Sequence, residues 1–83
     1  MRAARTDANQ AAIVSALEAA GWAVFSTASV GRGFPDLVCH RRGAIRLVEV
    51  KTATGKLRPA QEKFQDMFPV SVVRTIEDAV RLS

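Results

Sequence analysis

GRGFPDL, residues 31–37, and VEVK, residues 48–51, frame the segment that decides the fold. Between them, strand-favouring residues surround the dipeptide Arg42-Gly43. A two-residue turn with glycine in the second position is typical of a tight β-hairpin. We therefore predict two strands, at residues 36–41 and 44–51, joined by this turn.

The turn also fixes which side chains face each other. With positions 42 and 43 in the turn, position 41 pairs with position 44, and each outward step pairs the next two positions. Asp36 then lies directly opposite Glu49, with Cβ atoms about 4.5–5.5 Å apart. Lys51 is two residues beyond Glu49, so it points to the same face of the sheet.

This grouping predicts a metal-dependent reaction. Two facing carboxylates repel each other unless a cation lies between them, and oxygen ligands select a hard ion. We expect Mg²⁺ or Mn²⁺ on Asp36 and Glu49, with waters and a substrate phosphate completing its shell. Lys51 is placed to orient or deprotonate an attacking water, and Arg32 and the amides beside Gly33 to meet a phosphate. Together these groups indicate phosphodiester hydrolysis.

An ordinary surface is the alternative interpretation. Glu49 and Lys51 alone are typical of a solvated strand face, and the Pro-Asp step alone is typical of a turn. However, the other side chains predicted on this face are largely apolar, namely Val38, His40, Ile45 and Leu47. Charged groups gathered at one end of such a face favour a functional site over an ordinary solvated surface.

The flanking segments complete an α-β-β-β-α-β-α order. Caps, breakers and periodicity predict the remaining elements: a helix at residues 7–20, a strand at 22–28, a helix at 59–68, a strand at 70–74 and a helix ending at 82. A hairpin combined with a helical crossover predicts an α/β fold with a mixed sheet and flanking helices. We expect the stripe Ala60, Phe64 and Met67 to lie in the core or in a dimer contact, and most aromatic residues to be buried.

Composition narrows the possible functions. The chain has 83 residues, a net charge of +4, one cysteine and one histidine. This length predicts one domain, residues 1–83, too small to be very stable alone, so a homo-oligomer is expected. The charge favours a polyanionic partner, while the single cysteine and histidine exclude a disulfide framework and a multi-histidine metal centre. Without an apolar run of membrane length or a signal core, we expect a cytoplasmic protein with no membrane contact.

The motif residues resemble a known family. Gly-x-Gly-x-Pro-Asp-Leu, then Glu-Val-Lys, then a helix carrying Gln61, is similar to the VRR-NUC (virus-type replication-repair nuclease) branch of the PD-(D/E)xK superfamily. The resemblance implies a restriction-endonuclease-like fold. It also implies that Asp36, Glu49 and the Val50 carbonyl hold the metal, that Lys51 is the catalytic lysine, and that Gln61 is an active-site residue.

The first helix departs from this pattern. Many relatives carry a glutamate there as a further metal ligand, and that position falls near Gln10, a neutral amide that binds a cation less tightly. Asp7, one turn earlier, is the other candidate. The predicted DNA contacts combine the loop before Asp36 (residues 30–35, the active-site loop), the hairpin tip and the loop after Lys51. They are Arg32, Gly33, Arg41, Arg42, Arg46, Lys56 and Arg58.

The resemblance implies a DNA endonuclease that leaves a 5′-phosphate. Small stand-alone relatives resemble homodimeric, structure-specific enzymes that act on branched or Holliday-junction DNA in repair, encoded by bacteria or phages. A DNA-binding module of the same fold with weak metal affinity is the competing hypothesis, and a scaffold or packaging accessory is a third.

Overall fold

The predicted element order is confirmed. The structure is a computed structural model that describes residues 7–83, with side chains from Asn9 onward. Its elements are α1 (Asp7–Ala19), β1 (Ala23–Ser26), β2 (Leu37–Arg41), β3 (Ala44–Val50), α2 (Pro59–Met67), β4 (Ser71–Val73) and α3 (Ile76–Arg81). Most predicted bounds hold within one or two residues. Thr6, which with Asp7 is a candidate cap of α1, lies outside the described residues.

The four strands form one mixed sheet in the order β1-β2-β3-β4. β1 pairs with β2, and β2 with β3, in antiparallel fashion. β3 and β4 are parallel and are joined through α2. Arg42 and Gly43 both have positive φ, 52° and 81°, the geometry of a type I′ turn. Arg41 pairs with Ala44, so the predicted register is confirmed.

One face of the sheet carries the core. Helices α1 and α3 pack together there, and the fully buried residues come from both helices and from three strands. They are Ile13, Leu17, Trp22, Leu37, Cys39, Val48, Val73 and Ala79. Gly21, at φ 96°, ends α1 in the left-handed conformation. Ile13 and Leu17, four residues apart on α1, point into the same core.

The opposite face is covered mainly at one end, where α2 contacts it. The rest remains apolar and open, with Phe25 71% and Ile45 56% exposed. On α2, Ala60 is exposed and Met67 is 65% exposed, so the stripe does not lie in the core of this chain, and the other expectation, a dimer contact, stays a prediction. Periodicity identifies an apolar face, but it does not say whether the same chain covers it.

Among the helices of residues 7–83, none combines the length and the apolarity needed to cross a bilayer.

Candidate active site

Asp36 lies immediately before β2, where β1 holds the chain in place. The Thr27 N–H donates to the Asp36 carbonyl at 2.7 Å, and the Thr27 hydroxyl donates to the carbonyl of buried Pro35 at 2.7 Å. The Asp36 carboxylate accepts a hydrogen bond from the Val50 N–H at 2.9 Å. Asp36 thus reaches across to β3, although the regular pairing of β2 with β3 stops at Leu37, the residue after Asp36.

Glu49 is the buried acid of the site, only 2% exposed. Its pKa is raised to about 7, first by burial and then by repulsion from and hydrogen bonding with the Asp36 carboxyl. Lys51 and Arg58 partly oppose this rise in the pKa. Because the Asp36 carboxylate reaches the N–H of the residue after Glu49, the two acids lie close together.

Lys51 follows Glu49 on the same face, with its Nζ 4.0 Å from the Glu49 Oε2. Its backbone is held from two sides, because its N–H donates to the Val73 carbonyl at 3.1 Å and its carbonyl accepts from the Asn9 side chain at 3.2 Å. Helix α1 therefore contacts the chain directly after β3. Gln10 is half-buried in the same turn of α1, whereas the side chain of Asp7 lies outside the described residues.

Gln61 links the start of α2 to the buried acid. Its Nε2 donates to the Glu49 Oε2 at 2.9 Å, and its Oε1 accepts from the Arg58 N–H at 2.8 Å. The side chain thus caps the helix and fixes the Glu49 carboxylate at the same time. Pro59 occupies the first helical turn, where the missing N–H costs nothing.

Gly33 lets the active-site loop lie directly on this helix. Its φ is 84°, and a Cβ at this position would overlap the carbonyl of Ala60. In contrast, a Cβ at Gly31, with φ 75°, would meet nothing within 4 Å. The close approach at Gly33 therefore ties the loop that carries Asp36 to the helix that carries Gln61.

The donor set suits a hard divalent ion. The Asp36 carboxylate accepts from the N–H of Val50, the residue after Glu49, and the Val50 carbonyl faces the same side as its N–H, toward Asp36. Mg²⁺ is commonly bound through one or two carboxylates, with waters and substrate phosphate as its other ligands. Within residues 7–83 no group of three or more His, Cys, Asp or Glu residues surrounds a common point, so the acid pair is the candidate centre there.

The family comparison bears on this geometry. The sequence matches the family described as VRR-NUC domain over residues 2–77 of 83. The chain belongs to the VRR-NUC family. Membership implies a nuclease of the PD-(D/E)xK type that acts on DNA, and the α/β fold agrees with it. Comparisons with curated proteins and with solved structures gave no significant match.

The predicted DNA contacts of this VRR-NUC domain divide into two groups. Arg32, Lys56 and Arg58 are exposed around the acid pair, on the loops before β2 and after β3. Arg42 and Arg46 lie on the hairpin. Arg42 is in the turn, six residues along from Asp36, which is roughly 20 Å, whereas Arg46 pairs with Cys39, three residues along from Asp36, which is roughly 10 Å. The Arg46 Nε donates to the Ser83 carbonyl at 2.8 Å.

Arg41 is engaged inside the protein rather than presented to solvent. Its guanidinium lies 4.3 Å from the centre of the Trp22 ring and donates to the carbonyls of Ala20, at 2.8 Å, and Leu82, at 3.2 Å. It thereby joins the end of α1 to the end of α3. Arg41 is therefore not part of the DNA surface that we propose.

Sequence reasoning missed two residues that support the site. Asn9 holds the Lys51 carbonyl, and the Arg74 Nη1 donates to the carbonyls of Thr52 and Gly55, each at 2.7 Å. The sequence does offer a signal for Asn9, because it is a polar residue next to Gln10, the expected ligand position on α1. It offers no signal for Arg74, because the partners of Arg74 are backbone groups.

Cys39 and His40 do not form a nucleophile–base pair. Cys39 is fully buried among core residues, and burial raises the pKa of its thiol to about 11. His40 is exposed on the opposite face of the sheet. Cys39 is therefore a small core residue.

Proposed function

We propose that this VRR-NUC domain is a divalent-metal-dependent DNA endonuclease. The observation that carries the proposal is the position of the Asp36 carboxylate, which the Val50 N–H holds beside Glu49, together with the Lys51 ammonium 4.0 Å from Glu49. Crowding two acids in a buried position is unfavourable for folding. A cation held between them would offset this cost and give the arrangement a use.

The proposed ion is Mg²⁺ or Mn²⁺, held by Asp36, Glu49 and the Val50 carbonyl. Gln10 is proposed as a weak further ligand from α1. When bound, such an ion polarises the scissile phosphate and lowers the pKa of a bound water. The number of ligands is small, which leaves room for substrate oxygens.

The remaining side chains have separate proposed roles. Lys51 orients the attacking water and offsets negative charge that develops on the phosphate. Gln61 is a positioning residue, because both ends of its amide are engaged with Glu49 and Arg58. Arg58 and Lys56 supply sequence-independent contacts to the DNA backbone on the loop after β3.

A second copy of this chain is the partner proposed for the open sheet face. Phe25 and Ile45 share that face, and Phe68, 47% exposed, extends the apolar surface onto the end of α2. Exposed apolar surface of this kind marks interaction sites. A homodimer would present two active sites, which suits symmetric cutting of branched DNA.

A nicking assay on branched and linear DNA tests the proposal. We expect Mg²⁺- or Mn²⁺-stimulated cutting that Asp36→Asn and Lys51→Ala both abolish. Glu62→Gln is the matched control, since it neutralises an exposed acid on α2. Sedimentation of the wild-type chain tests the dimer separately.

A DNA-binding module with weak metal affinity is the competing proposal, favoured by the neutral amide at Gln10. It predicts salt-sensitive DNA binding without cutting under either ion. Cutting that survives both Asp36→Asn and Lys51→Ala would instead refute the assigned site.

A further inference from the structure

A small cleft opens beside the active-site loop, between that loop and the outer side of α2. It measures about 130 Å³ and is lined by Arg32, Ala60, Lys63, Phe64 and Met67. Arg32 is three residues before Pro35 on the loop that leads to Asp36. The cleft therefore borders the candidate active site without containing any of the acids.

The cleft carries positive charge that no acid neutralises. The ion pairs within residues 7–83 are Lys51–Glu49 and Arg81–Glu77, so neither Arg32 nor Lys63 is paired with a carboxylate there. Both side chains are exposed. Two unpaired cations on opposite walls of one cleft complement a phosphate.

The backbone at Arg32 is also unusual. Residues 31–33 all have positive φ, at 75°, 59° and 84°, and Arg32 is the only one of the three with a side chain. L residues other than asparagine and aspartate rarely adopt this conformation, and glycine would adopt it without strain. Such a position favours a functional side chain over a structural one. Arg42, at φ 52° in the hairpin turn, repeats the same geometry far from the site.

The inner wall is aromatic and held in place. The Phe64 ring contacts Phe34 edge-to-face, with centroids 5.2 Å apart, and stacks on Phe68 at 4.7 Å. Met67 adds a thioether that is 65% exposed. A flat apolar wall beside cations is the combination that binds unpaired nucleotides, whose bases stack while their phosphates are neutralised.

We propose that this cleft binds one unpaired nucleotide of the DNA next to the cut site. Its phosphate lies between Arg32 and Lys63, and its base packs against Phe64 and Met67. The inference extends the proposed nuclease function to a substrate class, because bases in an intact duplex are stacked on each other and cannot enter. DNA with a single-stranded segment at the branch point is the substrate that fits.

The test measures binding in EDTA by fluorescence anisotropy, so it does not depend on cutting. Two labelled duplexes carry the same short single-stranded tail, one with thymines and one with abasic residues that keep every phosphate. We expect the wild-type chain to bind the thymine tail roughly five-fold more tightly or better. Met67→Ser removes this preference, while Val80→Ser, an equally exposed change on α3, leaves it intact.

The cations have their own matched pair. Arg32→Gly removes one charge and relieves one positive-φ position, and Arg81→Gln removes one exposed charge on α3, on the other face of the sheet. We expect Arg32→Gly, like Lys63→Gln, to weaken binding of both tails and to reduce its salt dependence by about one counterion, and Arg81→Gln to have little effect. Arg32→Gly should also not lower the thermal stability of the chain.

Three results would overturn the proposal. They are equal affinity of the wild-type chain for the thymine and abasic tails, equal losses in Arg32→Gly and Arg81→Gln, and a Met67→Ser variant that changes only the oligomeric state. The last would assign the cleft to contact between copies of the chain. A chain that prefers the thymine tail but cuts nothing would retain this inference and refute the nuclease proposal alone.

Discussion

Without metal, the acid pair should make the protein less stable as the pH rises. The pKa of Glu49 is about 7 in the folded chain, against an ordinary value of 4.5. The folded state therefore holds this proton more tightly than the unfolded state, so stability is highest below pH 4.5, falls between pH 4.5 and 7, and is constant above. At about 1.4 kcal/mol per tenfold change in proton affinity, this amounts to about 3 kcal/mol, most of it lost between pH 5 and 8.

Urea denaturation in EDTA at pH 5 and pH 8 measures this loss, with Trp22 as the probe, since it is the single tryptophan and 3% exposed. Glu49→Gln should remove most of the pH dependence, and Asp36→Asn should reduce it by lowering the pKa of Glu49. Glu62→Gln should leave it unchanged. Asp78 does not contribute to the pH dependence in this range, because its lowered pKa affects stability only below the ordinary value of 3.8. Equal pH dependence in the wild type and Glu49→Gln would refute the reasoning.

Three further predictions follow from the same contacts. Mg²⁺ should raise the melting temperature more at pH 8 than at pH 5, because protonated Glu49 is a poor ligand; an equal shift at both values would contradict this. Gly33→Ala should destabilise the chain by several kcal/mol in urea titrations, through the overlap with the Ala60 carbonyl, while Gly31→Ala should cost only about 1–2 kcal/mol of backbone strain. Arg74→Gln should lower kcat more than it raises KM, because the loop after Lys51 loses its anchor, and a variant with unchanged kcat would exclude that role.

The order of the elements and the hairpin register were predictable because both depend on local signals. The Arg42-Gly43 turn sets the pairing of β2 and β3, and that pairing places Asp36 and Glu49 together. The capping box of Thr75 and Asp78 at the start of α3 is equally local. Short-range chemistry is enough for such features.

Features that depend on long-range packing were not predictable in the same way. Phe25 and Met67 have core-like spacing, yet both are exposed because nothing in the described part of this chain covers them. Arg41 was expected at the DNA, but it stacks on Trp22. A sequence pattern gives the character of a face, while its neighbours are decided by the packing of distant segments.

The details of the site needed coordinates for a related reason. Gln61 was predicted as an active-site residue, but its bonds to the Arg58 N–H and to Glu49 depend on how α2 meets the sheet. The Asn9 contact with Lys51 spans 42 positions in the chain. Separations of this size carry no periodic signal.

Through Gln61, the position of the Glu49 carboxylate depends on the first turn of α2. The terminal turn of a helix frays more readily than its middle or a central strand. When the first turn of α2 opens, the Glu49 carboxylate loses its donor while β2 and β3 remain paired. Heating should therefore reduce nuclease activity before the sheet unfolds. A ligand that stabilises this helical turn would extend the temperature range of activity without changing the reaction.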